Sequence, residues 1–283
     1  MKPQWQCIKQ NIGTWKGSFT KFSPDGEQIK DTPSVLTLEE TEADKTMQLT
    51  LERWPEDGTA DVTERSFSAP GPAPYVYFFE TGAFSQGSAQ WRAFSQFGAE
   101  MSLKVGDRRS RFVIMYRSTP ENTTEIEYVT LIRETQAGGT QFTEADMTPE
   151  QMQGTWTGTS TVLFATMEPP TTGTSQWTLE DATRSCSHSF NEQSNTLSLT
   201  RTTSSNRSPH QPLKLEGELD YQLMPLPNGT YCLLPHQIKK DTAFQIEVGW
   251  LRENGDRSRL IRYYDNRGVW MISALIEDRL SSS

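Results

Sequence analysis

A chain that carries one signature twice, in the same order, is constrained to build the same fold twice. Gly13-Thr14-Trp15-Lys16-Gly17-Ser18 returns as Gly154-Thr155-Trp156-Thr157-Gly158-Thr159, with the two tryptophans 141 residues apart. Gly106-Asp107-Arg108-Arg109-Ser110-Arg111-Phe112 returns as Gly255-Asp256-Arg257-Ser258-Arg259-Leu260, displaced by 149 residues. Each second echo runs into an aromatic end, Met115-Tyr116 or Tyr263-Tyr264, and then a closing strand, Ile126 to Arg133 or Val269 to Ile276. Copies that share a beginning and an ending imply tandem duplication. Gln136-Ala137-Gly138-Gly139-Thr140 interrupts the pattern as a linker would, so the expected domains are residues 1–140 and 141–283. Each half is long enough to bury its own core.

Period-two alternation identifies the repeated unit as antiparallel sheet. Met47, Leu49 and Leu51 alternate with Gln48, Thr50 and Glu52, and Phe244, Ile246 and Val248 alternate with Gln245 and Glu247. Such strands have one buried and one wet face. Turn signals fall at Pro24-Asp25-Gly26, Glu56-Asp57-Gly58, Pro227-Asn228-Gly229 and Asn254-Gly255-Asp256. The first half is expected to hold about eight strands, near residues 15–22, 33–40, 46–53, 61–67, 75–80, 90–95, 109–117 and 125–134. That number closes a barrel and removes its aggregation-prone edges. Short helical turns are expected over Pro3 to Gln10, and at Thr148-Pro149-Glu150-Gln151-Met152, where Pro takes the first helical position.

A net charge of −9 argues against nucleic acid as the main partner. No apolar run approaches the roughly 20 residues of a membrane span, and no signal or transit peptide is read at the start, so a cytoplasmic protein is expected. Cys7, Cys186 and Cys232 form no CxxC pair and fit a reducing compartment. Asn122-Thr123-Thr124, Asn206-Arg207-Ser208 and Asn228-Gly229-Thr230 match glycosylation sequons without consequence there.

The chemistry-bearing residues are sparse. His188, His210 and His236 are scattered and only Cys186 and His188 are close in sequence, so no metal is expected. No nucleophile elbow, dinucleotide fingerprint or phosphate loop occurs, and neither catalytic residues nor a cofactor are expected. The candidates for a binding site are the late-strand arginines Arg109, Arg111, Arg257 and Arg259, with Arg108 and Arg262 nearby. Pointing inward they would form a clamp for a buried carboxylate or phosphate. Pointing outward, the favoured expectation, they would blunt the barrel wall and pair with acidic neighbours. Tyr77 and Phe79, in the aromatic run Tyr75-Val76-Tyr77-Phe78-Phe79, and Phe84, Trp91, Phe94 and Phe97 could line a pocket for a flat apolar ligand. Core filling is the favoured expectation for them. Trp15 and Trp156 are expected to plug the closed barrel ends.

A helical turn before a Gly-x-Trp that opens an up-and-down barrel resembles the lipocalin and calycin superfamily, here twice over. The resemblance implies a late-strand Arg or Lys stacked across each Trp, with Arg133 and Arg279 the positional candidates. A closer resemblance runs from Trp5 and Gly13-Thr14-Trp15-Lys16-Gly17-Ser18-Phe19 through Phe22-Ser23-Pro24-Asp25-Gly26 and Asp31-Thr32-Pro33-Ser34 to Tyr263-Tyr264 and Trp270. These residues look like a family of cyanobacteria and chloroplasts catalogued as a domain of unknown function. Its plant member is a biogenesis factor required for ATP synthase, so the resemblance implies two lipocalin-like barrels in a non-enzymatic binding or assembly factor. The implied partner is a protein such as the ATP synthase head subunits. The alternatives are a soluble carrier of a hydrophobic ligand, such as a bilin, carotenoid or lipid, and a bilin lyase-like protein, for which a polar pocket with inward Arg and Asp would be decisive.

Overall fold

The computed structural model describes residues 2–56, 58–71, 75–179, 183–190, 193–201 and 211–281, excepting the side chains of residues 183–198, 200 and 201. The short turns form where expected. A helix α1 (Gln4–Ile8) and a 3-10 turn (Lys9–Asn11) precede the first strand, and a second 3-10 turn (Pro149–Met152) precedes its repeat. The second turn starts at Thr148, whose N–H donates to Gln151 Oε1 at 2.7 Å, with Pro149 at the first helical position.

Nine strands of the first half lie in one antiparallel sheet: β1 (Gly13–Phe22), β2 (Gln28–Glu42), β3 (Thr46–Arg53), β4 (Asp61–Ser68), β5 (Tyr77–Phe78), β6 (Phe84–Gly87), β7 (Phe97–Val105), β8 (Arg108–Ser118) and β9 (Thr124–Gln136). Their order is β4-β3-β2-β1-β9-β8-β7-β6-β5, so the sheet runs around like a barrel wall but leaves β4 and β5 unbonded to each other. The second half contributes β10 (Gly154–Phe164), β11 (Thr171–Leu179), β12 (Thr183–Phe190), β13 (Gln193–Arg201), β14 (Leu213–Glu216), β15 (Tyr221–Pro225), β16 (Thr230–Pro235), β17 (Gln237–Ile238), β18 (Phe244–Leu251), β19 (Asp256–Tyr264) and β20 (Trp270–Leu280). All but β17 close into a complete barrel. β17 pairs with β9 of the first sheet, Gln237 opposite Glu125 and Ile238 opposite Thr124. The protein is thus an all-β chain of two tandem lipocalin-like units, one closed and one with an open seam.

The repeated motif is explained residue by residue. Gly13 and Gly154 have φ of +132° and +100°, where the chain swings from its turn into the strand and a side chain would be strained. A Cβ at Gly17 would lie 1.9 Å from the Arg133 carbonyl oxygen, and one at Gly158 2.1 Å from that of Glu277. The first strand of each unit therefore packs hard against the last. The indole N–H of Trp15 donates to the Asn11 carbonyl at 2.9 Å, and that of Trp156 to the Met152 carbonyl at 3.1 Å. Each Trp pins the turn before it to the end of its barrel.

One expected strand is absent: residues 90–95 form a connection, and β6 and β7 lie on either side of it. Phe97, Ala99, Met101 and Leu103 are the alternating buried face of β7. Trp91 instead enters the seam between the two units, where its N–H donates to the Gly268 carbonyl at 2.7 Å and its indole N–H to Thr124 Oγ1 at 2.8 Å. There Phe97 meets Tyr116, Phe244 and Tyr264 edge-on at 5.2–5.7 Å, and Phe244 stacks on Tyr264 at 4.7 Å. Tyr116 donates to the Pro235 carbonyl at 2.9 Å. Arg262, fully buried against Trp270 at 4.0 Å, donates to Ser85 Oγ and to the carbonyls of Gly87 and Ser88. One continuous apolar core thus spans both units.

Candidate functional site

Strand alternation places Arg109 and Arg111 on one face of β8, and Arg257 and Arg259 on one face of β19. Both faces are interior, which corrects the expectation of outward arginines. Arg109 is 3% exposed and Arg111 7%, while Arg257 and Arg259 are fully buried. The reason lies one strand away. The register sets Glu134 of β9 opposite Arg109 and Asp278 of β20 opposite Arg257, so each inward pair of cations meets an inward carboxylate.

The two clusters correspond atom for atom over much of their extent. In the first unit Arg109 Nε donates to Glu134 Oε2 at 2.8 Å, and Arg111 donates to both Glu134 oxygens and to Glu100 at 2.8–2.9 Å. The Arg109 guanidinium lies 4.3 Å over the Trp15 ring. In the second unit Arg257 donates to both Asp278 oxygens at 2.8 Å, and Arg259 donates to Asp278 at 3.0 Å and to Glu247 at 3.4 Å. Arg257 lies 4.0 Å over Trp156. The Arg that stacks on each Trp therefore lies in the second echo, as Arg109 two residues after Asp107 and as Arg257 directly after Asp256. Arg133 and Arg279 do not: Arg133 donates to Asn228 Oδ1 at 2.6 Å, and the exposed Arg279 pairs with Asp256.

Burial pushes the Glu134 carboxyl up, but the Arg109 and Arg111 guanidiniums outweigh it and hold the group below the ordinary carboxylate range. Burial lowers Arg109, against the pull of Glu134. Burial lowers Arg111 too, but Glu134 and Glu100 together raise it above its ordinary value. Both arginines stay charged, so the cluster is a fixed array of charges rather than a proton relay.

The units differ in what covers this array. The register pairs Trp156 with Trp177, and Arg257 is sandwiched between them, 4.4 Å from the second ring. The corresponding partner of Trp15 is Leu36. Beside Leu36 the first unit holds a cavity of about 790 Å³, whose lining includes Leu38, Leu49, Leu51, Phe67, Phe78, Phe84, Arg53, Arg65, Glu100, Arg109 and Arg111. Its wall includes residues of β4 and β5, the two strands of the open seam.

Of the six candidates, only Arg109 and Arg111 line this space. Arg257 and Arg259 are fully buried in the second barrel. Tyr77 rests edge-on against Trp270 at 5.1 Å with its hydroxyl pushed up by burial, and Phe79 belongs to the shared core. Phe94 is 80% exposed. The residues missed from sequence are the carboxylates Glu134, Asp278, Glu100 and Glu247, whose only signal was their place in strand register. The side chains of Cys186 and His188, and residues Asn206 and His210, lie outside the described residues, while Cys7 and Cys232 are buried free thiols. No helix among the described residues is long and apolar enough to cross a membrane.

Two antiparallel units, each opening on a Gly-x-Trp whose indole is stacked by an arginine, define a tandem lipocalin-like protein. The chain belongs to the DUF3598 family: a protein of unknown function from that family in Nostoc punctiforme PCC 73102 is 31% identical over 99% of this chain and 100% of its own, with a TM-score of 0.85. Residues 1–139 match the N-terminal domain of unknown function DUF3598, and residues 143–280 match the C-terminal domain of biogenesis factor required for ATP synthase 1. Two further solved structures are far more distant. A protein described as an outer membrane protein from Bacteroides fragilis is 12% identical, covering 98% of this chain and 100% of its own, at a TM-score of 0.22. An S-type phycobiliprotein lyase from Guillardia theta is 7% identical, covering 98% of this chain and 91% of its own, at 0.18. No curated protein matches the chain.

Proposed function

We propose that this protein is a non-enzymatic assembly factor that acts in the cytoplasm on subunits of the ATP synthase catalytic head. The observation that carries the reading is the match of residues 143–280 to the C-terminal domain of a biogenesis factor required for ATP synthase. Among the described residues, Trp177, Tyr231 and Arg259 are fully buried inside the matched unit. Its exterior is then the surface left for a partner. The free edge of β4 in the other unit offers a second contact, because an unpaired strand edge accepts a strand from another chain.

The inward carboxylates argue against lyase-like acid-base chemistry. Arg109 and Arg111 engage both Glu134 oxygens, and Arg111 and Gln86 engage Glu100, leaving these groups held as structural anions. The test of the assembly reading is capture of purified ATP synthase head subunits by the tagged full-length protein. Retention of a head subunit at near-equal stoichiometry is expected; failure of every head subunit to bind, free or partly assembled, would overturn it.

A further inference from the structure

The two units repeat the same buried array, yet only one of them finishes it. In the second unit Trp177 closes the face of Arg257 that Trp156 leaves open. In the first unit Leu36 stands at that register position, too small to do so. Arg109 spends Nε on Glu134 and Nη1 on Asn11 Oδ1, while its Nη2 is buried without a partner. A buried, unanswered N–H of a cation carries a desolvation penalty that a bound anion would relieve. Among the described residues, four guanidiniums line the cavity: Arg53, Arg65, Arg109 and Arg111. Three carboxylates pair with them, Asp61 with Arg53 and Glu100 and Glu134 with Arg109 and Arg111. One positive charge is left over. The remaining wall is leucine and phenylalanine, and the volume lies within the roughly 300–1,000 Å³ of small-molecule pockets.

We propose that the cavity of the first unit binds an amphipathic monoanion, a long-chain carboxylate, with its head on Arg109 Nη2 and its apolar body along Leu36, Leu49, Leu51 and Phe67. A single free nitrogen suits one carboxylate oxygen, and a single excess charge suits a monoanion rather than a phosphate dianion. The apolar body takes the place that Trp177 fills in the second unit. The site goes beyond the assembly reading and does not depend on it.

The experiment is calorimetric titration of the full chain with palmitate, with hexadecanol and with hexadecyl phosphate, each below its micellar concentration. One palmitate per chain is expected, with hexadecanol and hexadecyl phosphate each bound at least tenfold more weakly. Leu36→Trp installs the aromatic residue of the second unit and is expected to abolish palmitate binding without lowering the melting temperature. Arg65 meets no carboxylate among the described residues, so Arg65→Gln leaves the fold untouched and is expected to weaken palmitate severalfold. Should Leu36→Trp fail to fold, the Arg65→Gln and head-group comparisons decide alone. Absence of palmitate binding, equal affinity for hexadecanol, tighter binding of hexadecyl phosphate, or full affinity in a folded Leu36→Trp protein would each overturn the proposal.

Discussion

Glu134 shows how one residue can hold a site that sequence inspection passes over. Its carboxylate is fully buried and bonds two arginines that are themselves almost entirely buried. Removing one partner of such a group leaves charge buried and uncompensated, at a cost of about 3–5 kcal/mol. Glu134→Gln is therefore expected to destabilise the protein by about that amount in denaturant titration. The pH dependence has a definite sign. Because the folded-state value of Glu134 is depressed, its contribution is fully present above the unfolded value of about 4.3 and is lost as pH falls through the folded value. The acid limb of the stability curve below about pH 4 should flatten in Glu134→Gln, and an unchanged limb would assign acid sensitivity to other groups. The arginines were legible because the Gly-Asp-Arg echo repeats. Their direction was not, since alternation gives two faces and only pairing with β9 or β20 decides which is inside.

At the scale of elements, most strands were legible from the alternation and from the turn signals between them. β1, β3, β4, β8 and β9 fall close to the expected spans. Residues 90–95 make no strand of the first sheet: Trp91 is buried by the neighbouring unit, and Gln90 pairs only as an isolated bridge with Val269. Barrel closure could not be read at all, since it depends on how β4 and β5 end up in space. The open seam has a measurable consequence. No residue of β4 is fully buried, whereas β8 and β9 are buried along most of their length. Hydrogen exchange followed by mass spectrometry should find the β4 amides opening well before those of β8 and β9. Equal protection would mean that the seam closes in solution.

At the scale of the whole molecule, duplication supplied two similar units, but the contacts between them belong to neither repeat. Arg262 lies one turn of alternation beyond the Gly-Asp-Arg echo, and among the described residues no carboxylate lies within hydrogen-bonding distance of it. Its partners Ser85, Gly87 and Ser88 come from the other unit. Replacing it with methionine removes the donor to the Gly87 carbonyl, while Ser85 Oγ and the Ser88 carbonyl keep Ser273 and Tyr264; a buried acceptor left unanswered costs about 1–3 kcal/mol. A shared core predicts a single calorimetric transition for the intact chain, and Arg262→Met should lower its midpoint. Two resolved transitions in the intact protein would show that the units fold independently.

β17 has a consequence for the order in which the protein is made. This strand is encoded in the second half and hydrogen-bonded in the first, so β9 waits for a partner about a hundred residues further along the chain. At about 5–20 residues per second, that interval is roughly 5–20 s of translation. Through it Phe97, Tyr116 and Trp91 of the nascent first unit lack their partners Phe244, Tyr264, Pro235 and Gly268 in the second, and the growing polypeptide presents an aromatic patch to whatever receives it at the ribosome.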